Sequence, residues 1–394
     1  EGETPVASGS GTLESDLRQL QRTVAAASLS TFCLGYNTGI VAGAQAGLQQ
    51  DPAFGVLNTS LADGELVSCA LLGAAVGAVC GQFANLVGRR RMLLAVAVVF
   101  LISPIAMALS PDFVSLLAAR TMSGMSIGVS SVLVNLYITE VSPAACRGRL
   151  GGWAPFIGTT GILVSYVVSS LLGPLTYGAW RWQFGLASVP ALCILILQGS
   201  IPETPRWLLS QSRRGEAKES MARLFPKASE ESLEAELQRI EAELSHSMQL
   251  NSVSTIGLFK THRMPTFIGM SINILQQVSG INVFIYFAPE ILAEAGFGNK
   301  SMVMTTLISL LQLTATAVLI RYIDKVGRRP LALGGLLGML AGLAFLVVAD
   351  LLRGSGANRS LTAVGSLLGM LIFRASFSLS LGPLPYIMTS EFFP

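Results

Sequence analysis

Ten stretches of about twenty mainly apolar residues run through the sequence, and they constrain its fold more than any other feature. They cover residues 23–48, 64–84, 92–109, 113–139, 150–172, 182–201, 265–287, 303–323, 330–352 and 361–388. A helix of about 20 apolar residues spans the ~30 Å hydrocarbon core of a bilayer. Charged residues make up only 12% of the 394 residues, against about 25% in a typical soluble domain. The sequence therefore predicts an all-α membrane protein with ten spans and excludes an ordinary soluble enzyme.

The basic residues predict how the chain is oriented in the membrane. With the N-terminus placed in the cytoplasm, 19 of the 26 Lys and Arg residues fall in links on the inner side and 4 on the outer side. Cytoplasmic links of membrane proteins carry such an excess. Three Asn-x-Ser/Thr sequons, at Asn58, Asn299 and Asn358, all lie in links predicted to be outside, where they are candidates for glycosylation. Both patterns predict a cytoplasmic N-terminus.

The polar segments divide the chain into four parts. We predict a cytoplasmic N-terminal segment (1–22), an N-terminal six-helix bundle (23–201), a cytoplasmic helical linker (202–264) and a C-terminal bundle (265–394). In the linker, apolar residues recur every three or four positions at Leu233, Leu237, Ile240 and Leu244, which is typical of one helix face. We expect that face to pack on another surface rather than to belong to a solvated tether.

The two bundles repeat a charged motif. Gly88-Arg89-Arg90 follows the second stretch, and Gly327-Arg328-Arg329 follows the second stretch of the C-terminal bundle. Glu140 ends the fourth stretch, and Glu391 ends the tenth. Parallel repeats are typical of transporters, whose substrate site lies between the halves near the midplane. We predict ion pairs that form in one conformation and break in another, although the arginines could serve orientation alone.

Uncharged polar residues inside the stretches are candidates for substrate binding. Gln276, Gln277, Asn282 and Gln312 each carry a donor and an acceptor on one side chain, which matches the hydroxyls of a neutral polyol. Tyr386 follows Gly382-Pro383-Leu384-Pro385, a sequence that should break the helix and leave the ring free to contact a sugar. Unpaired amides are costly in lipid, so we expect a water-filled cavity. The alternatives are amide bonds between helices and an interfacial anchor for the tyrosine.

Three further residues bear on the mechanism. Asn37, in the first stretch, cannot exchange a proton, which favours downhill transport over proton coupling. Arg120 lies early in the fourth stretch, where we expect it to reach the nearby membrane surface. Arg374 lies in the middle of the tenth stretch, and we expect it to face a cavity or a partner that the sequence does not identify.

A set of short motifs runs through the chain: Gly35-Tyr36-Asn37-Thr38-Gly39, Gly88-Arg89-Arg90-Arg91, Glu140-Val141-Ser142-Pro143, Arg147-Gly148, Pro202-Glu203-Thr204-Pro205-Arg206, Gln276-Gln277-Val278-Ser279-Gly280-Ile281-Asn282, Gly327-Arg328-Arg329 and Gly382-Pro383-Leu384-Pro385. In these motifs the sequence resembles the sugar porter branch of the major facilitator superfamily, most closely the facilitative hexose (glucose) transporters. This resemblance implies the major facilitator fold of two six-helix bundles, so that the ten spans lack the last two of twelve. It also implies uniport of a glucose-like hexose by alternating access, in the plasma membrane.

The resemblance assigns roles residue by residue. The implied sugar-binding residues are Gln276, Gln277, Asn282, Gln312 and Tyr386. The implied gating charges are Arg89, Arg90, Glu140, Arg147, Glu203, Asp324, Arg328, Arg329 and Glu391. Pro155 and Ser378 depart from the family, whose members usually have a glutamine at the first position and often a glutamate at the second.

Two other functions stay open at this point. One is a proton-coupled sugar or polyol symporter, and the other is a non-transporting sugar sensor or truncated subunit. We expect no enzymatic activity, cofactor or metal, because the sequence has no nucleophile–base set, metal-ligand spacing or phosphate loop. The net charge of +3 is too small to suggest a nucleic-acid partner, which leaves a neutral sugar and the lipid bilayer as expected partners.

Overall fold

A computed structural model describes residues 17–51, 54, 60–143, 146–173, 178–250, 263–355, 358–385 and 388. Within these residues the protein is helical and contains no strand. The helices before residue 201 are α1 (Arg18–Gln49), α2 (Ser60–Cys80), α3 (Ala84–Val87), α4 (Arg89–Ala108), α5 (Phe113–Val141), α6 (Arg147–Gly151), α7 (Trp153–Leu172), α8 (Ala179–Gly185) and α9 (Ser188–Ile196). Short 3₁₀ turns follow α2 and α9.

The remaining helices form the polar linker and the second half. The linker contains α10 (Pro205–Ser210), α11 (Arg214–Leu224) and α12 (Glu230–Leu250). The second half contains α13 (Arg263–Val278), α14 (Ile281–Tyr286), α15 (Ala288–Leu292), α16 (Ser301–Val326), α17 (Arg328–Gly354) and α18 (Arg359–Ser378). A π-helical turn, Ala293–Phe297, and a 3₁₀ turn, Gly298–Lys300, join α15 to α16.

Nine helical segments of the described residues are long and apolar enough to cross a membrane. The remaining predicted stretch, the seventh (residues 265–287), is not among them because the structure divides it into α13, of 16 residues, and α14, of 6 residues. Gly280 lies between them with φ +80°, a left-handed conformation that glycine adopts without a Cβ clash. The α-helical hydrogen bonds therefore stop one turn after the paired glutamines.

Small residues let the spanning helices approach closely. α1 packs along α7, and α2 packs along α5. At Gly35 an added Cβ would collide with the carbonyl group of Gly158, so the two backbones are in direct contact there. Such packing is typical of membrane helices, where association depends on van der Waals fit rather than on the hydrophobic effect.

Several helices of the two halves pack against each other. α7 packs on α16, where the hydroxyls of Ser170 and Thr306 lie 3.0 Å apart. α14 packs on α1, and the Tyr166 hydroxyl of α7 donates to the carbonyl oxygen of Ile285 at 2.7 Å. The second contact involves α14, which follows the break in the seventh stretch, so this break lies beside a contact between the halves.

The linker helices pack against the first half, which confirms the predicted apolar face. Leu233, Leu237 and Ile240 of α12 are buried, and Leu233 and Leu237 belong to a core cluster that contains Met221 of α11 and Trp207 of α10. The linker also carries exposed ion pairs such as Arg213 with Glu216. Exposed pairs contribute little, so the apolar face holds the linker in place.

Candidate functional site

Three of the predicted sugar-binding amides form one hydrogen-bonded chain. Asn282 Nδ2 donates to Gln277 Oε1 at 3.0 Å, and Gln277 Nε2 donates to Gln276 Oε1 at 3.3 Å. Gln276 Nε2 then donates to the backbone carbonyl oxygens of Leu381 and Gly382 at 2.8 and 2.9 Å. The chain therefore runs from α14, across the end of α13, to the turns that follow α18.

The members of this amide chain differ in what they leave free. Gln276 is buried, and both of its N–H groups are used on carbonyl oxygens. Gln277 is exposed and Asn282 is half-buried, and each uses one of its two N–H groups within the chain. In this conformation Gln276 ties two elements together, whereas Gln277 and Asn282 keep donors for a ligand.

Gln312, on α16, contacts the arginine for which the sequence identified no partner. Arg374 Nη2 donates to Gln312 Oε1, and Arg374 Nη1 donates to the carbonyl oxygen of Phe284 at 3.3 Å. The guanidinium also lies 5.9 Å from the centroid of the Tyr166 ring. Arg374 is fully buried and Gln312 is 5% exposed, so the expectation of a paired role for Arg374 is confirmed.

The expectation that Arg120 reaches the membrane surface is wrong. Arg120 is fully buried, and its Nη1 donates to the backbone carbonyl oxygen of Asn37 at 2.7 Å. α5 packs against both α1 and α2 at this depth, so the side chain points into the bundle. Asn37 is also fully buried; its Nδ2 donates to the Cys33 carbonyl oxygen at 2.9 Å, and its Oδ1 accepts from Ser123 Oγ at 3.2 Å.

The break predicted in the tenth stretch is confirmed. α18 ends at Ser378, and residues 379–383 form turns. The turn carbonyls of Leu381 and Gly382 are those that bind Gln276. Tyr386 lies outside the described residues.

The first charged motif forms a buried ion pair. Arg89 Nη2 lies 2.8 Å from Glu140 Oε1, and Arg89 Nε lies 3.0 Å from Glu140 Oε2. The two side chains are 9% and 7% exposed. Thr204 Oγ1 donates to Glu140 Oε2 at 2.6 Å. Sequence reasoning did not assign a role to Thr204, although its place beside Glu203 in the Pro-Glu-Thr-Pro motif is an available signal.

Among the described residues, Glu203 binds the backbone at the start of α4. Its Oε1 accepts hydrogen bonds from the backbone N–H groups of Arg89, Arg90 and Thr204 at 2.9, 3.1 and 3.1 Å. A carboxylate at a helix N-terminus is favoured by the helix dipole. Burial nevertheless raises the pKa of Glu203, with the three N–H groups and Arg89 opposing that shift. Glu203 thus links the linker to the ion pair of Arg89 with Glu140.

The second charged motif repeats the backbone of the first. Gly88 is the N-cap residue before α4, with φ +106° and ψ 150°, and Gly327 is the N-cap residue before α17, with φ +86° and ψ 160°. Arg328 is half-buried and Arg329 is exposed. The side chains of Asp324 and Arg147, and the whole of Glu391, lie outside the described parts of the chain.

The predicted glycosylation sites that fall in the described residues are exposed. Asn299 lies in the 3₁₀ turn before α16. Asn358 begins α18, where its Oδ1 accepts from the backbone N–H of Ser360 at 3.0 Å. Asn58 lies outside the described residues.

Comparison with known proteins places this site in a family context. The family model described as "Sugar (and other) transporter" matches residues 23–394. The arabinose-proton symporter of Bacillus subtilis is 33% identical over 380 residues, covering 94% of this chain and 78% of the relative. The glucose transporter GlcP of Staphylococcus epidermidis is 31% identical over 373 residues, covering 93% and 79%. The structure of the xylose transporter XylE from E. coli, in a partially occluded inward-open conformation, aligns with a TM-score of 0.79 at 27% identity, covering 95% of this chain and 87% of that one.

Proposed function

Because the chain belongs to the sugar transporter family of the major facilitator superfamily, we propose that it carries a glucose-like hexose across the membrane by alternating access and without ion coupling. The observation that carries the uniport part of this proposal is the environment of Asn37. This amide is fully buried, the backbone carbonyl oxygen of the same residue accepts from Arg120, and the amide has no proton to exchange. A carboxylate in the same place could take up and release a proton during transport, and an amide cannot.

The amide chain supplies the sugar site in this proposal. Gln277 and Asn282 donate to the sugar hydroxyls, Gln312 contributes from α16, and Gln276 holds the turn after α18 against α13. A neutral hydrogen bond contributes ~1 kcal/mol net, and millimolar affinity requires about 4 kcal/mol. Several such bonds give a carrier that binds its substrate and also releases it.

The charged network supplies the gate. The pair of Arg89 with Glu140 holds the ends of α4 and α5 together, and Glu203 attaches the linker to the same point. We infer that these contacts form in one conformer and break in the other, with Arg328 and Arg329 acting in the second half. In this arrangement the N-terminus and the linker are cytoplasmic, residues 23–201 and 265–394 form the two moving bundles, and the exposed sequons face outside a plasma membrane.

Proton-coupled transport of a sugar is the second candidate, and one observation favours it. A relative that matches 94% of this chain is named as an arabinose-proton symporter. A second matched structure of XylE, bound to 6-bromo-6-deoxy-D-glucose, is named as that of a proton:xylose symporter. The two candidates differ in whether sugar movement depends on the proton gradient.

Transport by the purified protein in liposomes distinguishes them. We expect saturable uptake of radiolabelled glucose that is unchanged by a protonophore, with no pH change in the external medium. Asn37→Asp is the matched variant, because it places a buried carboxylate beside Arg120, whose Nε and Nη2 have no partner within the described residues. We expect its uptake to become sensitive to the imposed pH gradient. Wild-type uptake that collapses with the gradient would overturn uniport.

A further inference from the structure

Arg374 contacts three different helices, two from the second half and one from the first. Its Nη2 donates to Gln312 of α16, its Nη1 donates to the Phe284 carbonyl oxygen of α14, and its guanidinium faces the Tyr166 ring of α7. The side chain is fully buried, and the Phe373 ring beside it packs on Phe284 at a centroid distance of 4.3 Å. These contacts bind both terminal nitrogens of the guanidinium, while its Nε has no partner within the described residues.

The contact with Arg374 fixes which end of the Gln312 amide faces the arginine. A guanidinium has five N–H donors and no acceptor, so only the carbonyl oxygen of an amide can bind it. The opposite orientation would place N–H groups against N–H groups beside a buried charge, which is strongly unfavourable. Gln312 Nε2 must therefore point away from Arg374, and the bond that the Gln312 side chain forms with the described residues is the one through its Oε1.

We propose that Arg374 is a positioning residue that makes Gln312 a donor-only contact in the sugar site and so selects substrates with an acceptor at that point. The inference rests on the proposed function, in which Gln312 lines the site. A free glutamine can rotate to donate or to accept, whereas the glutamine held by Arg374 can only donate. The chemical class that fits is a neutral sugar with a hydroxyl or another acceptor there.

The same arrangement excludes one class of substrate. A sugar with an ammonium group at this position would bring only donors against the Gln312 N–H groups, and it would place a second cation close to the Arg374 guanidinium. An amino sugar should therefore be rejected at that position and tolerated elsewhere on the ring.

Competition by modified hexoses tests the proposal. For each ring hydroxyl, a deoxy analogue removes both donor and acceptor, while a deoxyfluoro analogue keeps a weak acceptor and no donor. We measure how well each analogue inhibits glucose uptake. At one hydroxyl position the deoxyfluoro sugar should compete about fivefold better than the deoxy sugar, because one neutral hydrogen bond contributes about this factor. If Arg374 had only a structural role, replacing it would not change this ratio of deoxyfluoro to deoxy competition.

Three variants test whether the contact between Arg374 and Gln312 causes this competition ratio. Arg374→Met frees the amide, so the ratio should fall towards one, while Arg374→Lys keeps a donor and should preserve part of it. Gln312→Glu retains a bond to Arg374 but offers no N–H, so the deoxyfluoro advantage should disappear even if Arg374→Met does not fold. Arg321→Met removes an exposed arginine from α16, the helix that carries Gln312, and it should leave the ratio unchanged.

The outcomes separate this inference from the proposed function. A wild-type protein that moves no neutral hexose removes both. A wild-type protein that transports glucose but shows no such hydroxyl, or shows a ratio that survives in Gln312→Glu, overturns the inference and leaves the proposed function standing. A ratio that is present in wild type and lost in Gln312→Glu supports it.

Discussion

The ion pair between Arg89 and Glu140 gives a sharp test of the proposed gate. The guanidinium uses two nitrogens on the carboxylate, and the side chains are only 9% and 7% exposed. Removing one partner of a buried pair costs about 3–5 kcal/mol, because the other charge stays buried. If the pair exists only in the conformer described here, Glu140→Gln should destabilise that conformer by about 3 kcal/mol, a factor of roughly 100 in population.

Accessibility labelling at Ala42 can measure this shift. Ala42 lies on α1, is 7% exposed, and packs in one cluster with Ile281 and Phe284 of α14. In a cysteine-free background, Ala42→Cys should react slowly with an impermeant maleimide while α1 and α14 stay in contact. Glu140→Gln should increase the reaction rate by up to about a hundredfold, because the conformer in which α1 and α14 are in contact loses its ion pair.

A matched control separates the gate from a general effect of charge. Glu236→Gln removes the exposed pair with Arg239, whose side chains are 20% and 48% exposed. An exposed pair contributes ~0–1 kcal/mol, so the labelling rate should stay within about fivefold of wild type. An unchanged rate in Glu140→Gln, or one that matches the control, would mean that the pair persists during opening, and the gate assignment would then be refuted.

Two further predictions concern the same end of the protein. Gly88→Ala should lower the unfolding temperature, because φ at this position is +106° and the new Cβ would lie 2.5 Å from Glu203 Oε2. Gly215→Ala is the control, because no atom lies within 4 Å of the Cβ that it adds. Equal unfolding temperatures for the two variants would contradict this explanation. Burial raises the pKa of Glu203 above 4.5, so folding favours its protonated form and its contribution to stability falls as pH rises from about 4.5 through the folded-state value. Wild type should therefore lose stability relative to Glu203→Gln over that pH range in thermal unfolding, and parallel curves would show that the shift is absent.

Much of the architecture was predictable because local sequence determines it. Apolar stretches of bilayer length became helices, since a backbone in lipid must satisfy its own hydrogen bonds. The stripe of Leu233, Leu237 and Ile240 became a buried face for the same local reason, periodicity. Gly88 and Gly327 could be matched in sequence because the same backbone conformation requires glycine at both helix starts.

Contacts between distant elements could not be predicted from the sequence. Arg374 and Gln312 are 62 residues apart, and nothing in either helix indicates that their side chains meet. The burial of Arg120 depends on how α5 packs between its neighbours, whereas its position in the sequence suggested the membrane surface. The bonds of Gln276 to the turn after α18 required the left-handed glycine and the end of α18 to be placed in space.

The amide chain offers a physical route from sugar binding to conformational change. A ligand moves an equilibrium only by binding one conformer better than another. A sugar that takes both N–H groups of Gln277 and Asn282 replaces the bonds that connect them to Gln276, and Gln276 holds the turn after α18. Losing these two neutral bonds, of ~1 kcal/mol each, would bias that turn by up to about thirtyfold. Because the bonds gained and lost are nearly equal in number, binding stays weak while the conformers are redistributed, which is the energetic balance that a passive carrier requires.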